Sequence, residues 1–157
     1  MKFLISKELS QATLLKNLML AVCVALFFYL GLDVLLHAYV FGFDLSSISS
    51  TLYGNTEEFI EPILLDTLLL QVHIDLFMSL FSMMIIASIY IRLYSEDSFT
   101  KILVHTLFVL GLVAPLLLVV AYFTEMVVVY VWLIGFILGH LLAMYMSLTI
   151  VKKLLIK

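Results

Sequence analysis

The stretch ILVHTLFVLGLVAPLLLVVAYF, residues 102–123, contains no Asp, Glu, Lys or Arg and is long enough to cross a bilayer as one helix. Three further apolar stretches, at about residues 17–39, 69–92 and 127–151, meet the same requirement. The chain is 65% hydrophobic and only 12% charged, against about 45–50% and about 25% in a soluble domain. We therefore expect an all-α membrane protein, a bundle of four transmembrane helices that forms a single domain over residues 1–157.

Basic residues occur in three segments: before the first span, between the second and third, and after the fourth. They are Lys2, Lys7, Lys16, Arg92, Lys101, Lys152, Lys153 and Lys157. Cytoplasmic loops collect Lys and Arg, so both termini are expected in the cytoplasm, in a multi-pass protein of the inner (cytoplasmic) membrane. The outer connections hold no basic residue, and Glu125 is expected in an acidic outer rim. Phosphate binding needs clustered basic residues, so the lipid bilayer is an expected partner and nucleic acid is not.

Three segments outside the apolar spans also carry structural predictions. Residues 5–16 are polar with a helix-compatible pattern, which predicts a short interfacial helix at the N-terminus. Residues 42–56 are rich in Ser, Thr and Gly and are expected to form the longer outer loop. Nothing breaks the helical pattern over residues 62–94, so the second helix could reach about 50 Å, more than the roughly 30 Å of the hydrocarbon core. We expect this helix to extend beyond the outer face.

Acids and histidines inside membrane spans are costly and usually mark ion paths, proton relays or cofactor sites. On the first helix, Tyr29, Asp33 and His37 follow at i, i+4 and i+8 and share one face. The second helix carries a polar stripe about 120° wide, and two other ionisable residues lie about 160–200° away from Asp75. The stripe comprises Thr67, Gln71, Asp75, Ser79 and Ser82, and the two residues on the other face are Asp66 and His73.

Counting the helix rise from the basic anchors gives these groups different depths. His37 and His73 then lie about 30 Å from the inner side, with Asp33 and Asp75 about 25 Å up. His140, an intramembrane polar residue of the fourth span, lies about 18 Å up, near the bilayer centre. The count therefore predicts a cluster of histidines and carboxylates near the non-cytoplasmic face.

Mixed imidazole and carboxylate ligands on facing helices suit Zn, Fe, Mn or Cu. The leading hypothesis is a transition-metal centre held by Asp33, His37 and one of His73 or Asp75, which serves metal handling or a membrane redox complex. Which of the two second-helix residues meets the first helix stays open, because their side chains point in nearly opposite directions.

Two other functions remain as alternatives. A b-type haem would take His37 and His73 as axial ligands at nearly equal depth, in an electron-transfer subunit. A non-catalytic subunit or scaffold would use the polar stripe to contact other membrane proteins, or a second copy in a homo-oligomer. The topology and Thr56-Glu57-Glu58 before the second span resemble the small membrane subunit of tripartite periplasmic transporters, although the basic residue usual there at the end of the first span is absent. Whether the protein is an enzyme, a transporter or a scaffold is left open.

Overall fold

The computed structural model describes residues 13–156, which form five α-helices. They are α1 (Thr13–Phe41), α2 (Leu45–Tyr53), α3 (Leu65–Leu93), α4 (Ser98–Phe123) and α5 (Met126–Ile156). The four longer helices, α1, α3, α4 and α5, are each long and apolar enough to cross a membrane. The chain thus has the architecture of a multi-pass membrane protein. Most of the predicted interfacial helix lies outside the described residues, and residues 13–16 belong to α1.

The spanning helices pack unevenly around the bundle. Helix α5 packs extensively against both α1 and α4, and α4 packs against α3, whereas α1 and α3 touch only sparsely. Gly135 and Gly139 of α5 face α4, where a Cβ at Gly139 would lie 3.4 Å from the Leu110 Cβ. The two glycines therefore serve close helix packing, as small residues commonly do in membrane bundles.

Part of the predicted outer loop is helical, because residues 45–53 form α2. The Asp44 carboxylate caps this helix by accepting a hydrogen bond from the Ser47 amide at 2.8 Å, and Gly54 ends the helix at a φ of 80°. Hydrogen bonds from the Ser46 hydroxyl and the Ser47 amide hold the pKa of the Asp44 carboxyl below its usual value. Ile48 and Leu52 are buried, so α2 is packed against the bundle.

Helix α3 begins at Leu65, three residues after the predicted start at Pro62, and it ends at Leu93. The chain before it folds back on itself, since Asn55 and Ile60 exchange backbone hydrogen bonds and the Asn55 side chain accepts from the Glu57 amide. Thr56 and Glu57 thus lie in a turn and not in the first turn of the helix. At 1.5 Å per residue α3 is about 42 Å long, shorter than the predicted helix.

Two clusters of buried apolar side chains divide the bundle along its length. The cluster at the α2 end contains Phe41, Ile48, Leu52, Leu68, Val72, Leu118, Ala121, Val129 and Trp132. The cluster toward the basic end contains Cys23, Leu30, Met83, Ile86, Tyr90, Leu103, Leu107, Ala143, Met146, Ile150 and Leu154. On α1, α3 and α5 the turns between these clusters carry the acids and histidines, so those polar groups lie between two apolar layers.

Candidate metal centre

The first polar contact joins α1 to α3 where the two helices otherwise touch little. His37 Nε2 lies 2.9 Å from Asp75 Oδ2, and the other carboxylate oxygen, Oδ1, accepts a hydrogen bond of 2.8 Å from Gln71 Nε2. His37 exposes 4% of its surface and Asp75 6%. Asp75 is therefore held from both sides. Of the two α3 residues considered in the sequence analysis, His73 and Asp75, it is Asp75 that meets His37.

The second polar contact joins α1 to α5. His140 Nε2 lies 2.9 Å from Asp33 Oδ2, and the same oxygen is 3.8 Å from His37 Nδ1. The Asp33 side chain is 12% exposed and His140 is buried. Asp33 thus stands between the two histidines, and the four side chains form one connected group across three helices.

Both imidazoles have their tautomer set by their own helix. His37 Nδ1 lies 3.0 Å from the Asp33 carbonyl, and His140 Nδ1 lies 2.9 Å from the Phe136 carbonyl, each four residues earlier. A carbonyl only accepts, so each Nδ1 carries a proton and donates it. Each Nε2 is left facing a carboxylate oxygen. The hydrogen bond from each Nδ1 to a backbone carbonyl thus orients the ring so that its Nε2 faces a carboxylate.

An aromatic side chain separates the two histidines. The Phe136 ring centroid lies 4.4 Å from that of His37 and 4.1 Å from that of His140. Trp132 and Phe41 extend this aromatic packing toward α2, with their centroids 5.5 Å apart. The polar group is therefore fixed in position by rings as well as by hydrogen bonds.

Two cavities border the group. A crevice of about 230 Å³ between α1, α2 and α5 runs past Asp44 and Phe41 to the His37 ring. A much smaller cavity of about 10 Å³, bordered by α3, α4 and α5, is lined by Asp75, Ser79 and His140 among others. That volume is about what one ordered water needs. The crevice gives the site a connection to the α2 end, and the small cavity lies on its other side.

Three of these residues form a group that could hold a metal ion. One ligand atom each from Asp33, His37 and Asp75 lie within 4.8 Å of one another. Tetrahedral ligands at Zn–N and Zn–O bond lengths lie about 3.3 Å apart, so these side chains would have to move closer together around an ion. Metal-binding histidines almost always donate their other ring N–H to a carbonyl, a carboxylate or water, as His37 does here. The donor set therefore fits a metal.

The structure does not bring the predicted residue His73 to the site. His73 is exposed on α3, as is Asp66 on the same predicted face, whereas Asp75 is buried. Asp75 thus faces the bundle interior and His73 faces outward, as the angular separation predicted from the sequence requires. The metal ligand set that included His73 and the haem pair of His37 with His73 receive no support from this geometry, because His37 Nε2 is directed at Asp75.

The other predicted polar residues divide between the interior and the surface. Ser82 is buried, and among the described residues its Oγ is the one buried side-chain polar atom without a hydrogen-bond partner. Tyr29, Gln71 and Ser79 are half-buried, and Glu125 is exposed as predicted for the rim. Most of the predicted stripe on α3 therefore faces the bundle interior.

His140 was expected about 7 Å below Asp33 from the count of helix rise. That count assumed that the basic anchors of α1 and α5 lie in one plane. The structure places the two side chains in hydrogen-bonding contact. A usable signal was present, since His140 and Asp33 are both ionisable groups in apolar spans and such groups pair with one another.

Comparison with known proteins gives no family for this chain. No protein-family model, no curated protein and no solved structure matches it. The function must therefore be inferred from the site itself.

Proposed function

We propose that this protein binds a transition-metal ion inside the membrane through Asp33, His37 and Asp75. The observation that supports it best is the buried group of three ligand atoms within 4.8 Å of one another. Its imidazole is already aimed at a carboxylate by a backbone hydrogen bond. A ligand set positioned before binding loses less conformational freedom when the ion arrives.

The chemistry of the donors favours a transition metal. Imidazole nitrogen suits Zn, Cu and Fe, whereas Ca²⁺ and Mg²⁺ prefer sites made of oxygen ligands. Two carboxylates also balance the charge of a divalent cation, which matters because an unpaired charge in a low-dielectric interior is strongly disfavoured. Gln71 holds the Asp75 carboxylate in place at 2.8 Å, as outer hydrogen bonds do at metal sites.

The position of the site suggests a role in metal handling or in a membrane redox complex. The crevice reaches His37 from the α2 end, and the basic residues favour placing that end outside the cytoplasm. The apolar cluster around Leu30, Met83 and Ile150 lies on the other side of the site. We therefore propose loading from the non-cytoplasmic side of a cytoplasmic membrane.

Equilibrium binding of Zn²⁺ to the full chain in lipid nanodiscs tests this proposal. We expect one high-affinity site per chain, with a loss of affinity of at least about tenfold in His37→Gln and in Asp75→Asn. The matched controls are His73→Gln and Asp66→Asn on the exposed face of α3, which should bind as the unaltered chain does. Equal binding by all five proteins, or no binding by any, would refute the metal site and favour the scaffold alternative.

A further inference from the structure

His140 resembles His37 in every contact that orients a metal-binding histidine. Its Nδ1 donates to the Phe136 carbonyl at 2.9 Å, as His37 Nδ1 donates to the Asp33 carbonyl at 3.0 Å. Its Nε2 lies 2.9 Å from Asp33 Oδ2, the same distance that separates His37 Nε2 from Asp75. The two halves of the site are thus built alike, one on α1 with α3 and the other on α5 with α1.

A second, independent observation concerns the small cavity that both His140 and Asp75 border. Both residues line the cavity of about 10 Å³, which also borders Ser79 on α3. Its other walls include Gly111 and Pro115 of α4, and Pro115 has no N–H to donate to the Gly111 carbonyl four residues earlier. The small cavity therefore borders one residue from each half of the site, Asp75 and His140.

We propose that His140 is the fourth ligand of the metal site, so that the ion is held by two imidazoles and two carboxylates. This inference rests on the proposed function, because it completes the ligand set of that same site. Asp33 is already within hydrogen-bonding distance of His140, so a metal ion that binds this carboxylate needs little movement to reach the second imidazole. The small cavity gives room for that movement on the side of Asp75.

The fourth ligand specifies the class of metal. A set of two neutral imidazoles and two carboxylates carries a charge of −2, which one divalent cation cancels. Two nitrogen ligands in a four-coordinate site favour Zn²⁺, Co²⁺ or Cu²⁺ over Mg²⁺, which demands octahedral oxygen coordination. The Phe136 ring packs against both imidazoles, and Gly139 allows α4 close to this part of α5.

Co²⁺ is the probe for the test, because its visible absorption differs between four-coordinate and six-coordinate sites. The full chain in nanodiscs is titrated with Co²⁺ alone and with Co²⁺ in excess Mg²⁺. We expect an intense four-coordinate spectrum that Mg²⁺ leaves unchanged. His140→Gln should weaken Co²⁺ binding at least about tenfold and lower the intensity of the spectrum. The matched control is His105→Gln, a substitution of an exposed histidine on α4.

The outcomes separate the two proposals. If His140→Gln binds Co²⁺ with the affinity and spectrum of the unaltered chain while His37→Gln does not bind, the fourth ligand is wrong and the three-residue site stands. If the unaltered chain binds no Co²⁺ and no Zn²⁺, the proposed function fails and this inference fails with it. Pulsed electron paramagnetic resonance on the Cu²⁺-loaded unaltered chain counts coordinated imidazoles without any substitution. Two coordinated imidazoles support the proposal, and one coordinated imidazole overturns it. Because this measurement uses the unaltered chain, it decides the question even if His140→Gln does not fold.

Discussion

The substitution Asp75→Ala should reveal how strongly the buried pair holds α1 against α3. It removes the carboxylate that contacts His37 Nε2 at 2.9 Å and Gln71 Nε2 at 2.8 Å. Gln71 is half-buried and can find another partner, but His37 is 4% exposed, and its Nε2 is left without the partner it has in the unaltered chain. A stranded buried polar group costs about 1–3 kcal/mol, and the lost hydrogen bonds add about 0.5–1.5 kcal/mol each. We expect a total loss of about 2–4 kcal/mol in the free energy of unfolding.

A double-mutant cycle with His37→Ala separates the pair from the general loss of packing. Once His37 is absent, Asp75→Ala strands no imidazole and should cost less. Interhelical hydrogen bonds in membrane proteins couple by about 0.6 kcal/mol on average and at most about 1.7 kcal/mol. Because both partners are nearly fully buried, we expect a coupling in the upper part of that range, about 1–1.7 kcal/mol. Reversible unfolding in mixed detergent micelles, followed by far-ultraviolet circular dichroism, measures it.

The control cycle uses Asp66→Ala and His73→Ala, whose side chains are exposed on α3, and it should give additive effects within about 0.5 kcal/mol. A coupling between His37 and Asp75 no larger than that of the control would refute the reasoning, since it would mean that the pair does not join the two helices.

Three further predictions concern other parts of the chain. Gln71→Ala removes no ligand but should weaken Zn²⁺ binding about 10–100-fold, because it removes the hydrogen bond that holds the Asp75 carboxylate. A competition titration measures the affinity, and equal affinity in the variant and the unaltered chain would contradict this role of Gln71. Gly111→Ala should lower stability by about 1 kcal/mol, because its Cβ would overlap the Met83 Sδ and force that buried side chain to move. In a Met83→Ala background the same substitution should cost less in thermal unfolding. The pKa of the Asp44 carboxyl is lowered in the folded chain. Its cap therefore stabilises α2 fully at pH values above the ordinary pKa of the carboxyl, and this stabilisation is lost as the pH falls through the lowered pKa. The protection of the α2 amides against hydrogen exchange, taken relative to the intrinsic exchange rate at each pH, should therefore fall on acidification in the unaltered chain. In Asp44→Ala this fall in protection should be absent, and an unchanged profile of protection against pH in that variant would refute the cap argument.

The spanning helices were predictable because long apolar runs in a chain of this composition have few other structures available. The rotation of each helix was harder to predict. A lipid-facing residue is as apolar as a core residue, so hydrophobicity alone does not show which face of α3 is buried. The polar stripe supplied the missing signal, and Asp75 and Ser82 are indeed buried while Asp66 is exposed.

Helix α2 and the contact between His140 and Asp33 were missed for different physical reasons. The Ser and Thr residues of 42–56 favour loops on average, but the Asp44 cap and the burial of Ile48 and Leu52 outweigh that preference. Depth counting on straight helices from a common plane could not bring His140 to Asp33, because that needs the relative shift of two packed helices. Long-range contacts of this kind depend on packing that one sequence does not display.

The central claim is that Asp33, His37 and Asp75 form a transition-metal site inside the membrane. The most direct measurement is X-ray absorption at the zinc edge on the full chain loaded with Zn²⁺ and freed of excess metal. We expect about one zinc per chain, nitrogen and oxygen ligands only, and the outer-shell scattering of imidazole. That signal should disappear in a chain carrying Asp33→Asn, His37→Gln and Asp75→Asn together. Sulfur ligands, or zinc retained unchanged by that triple variant, would contradict the account.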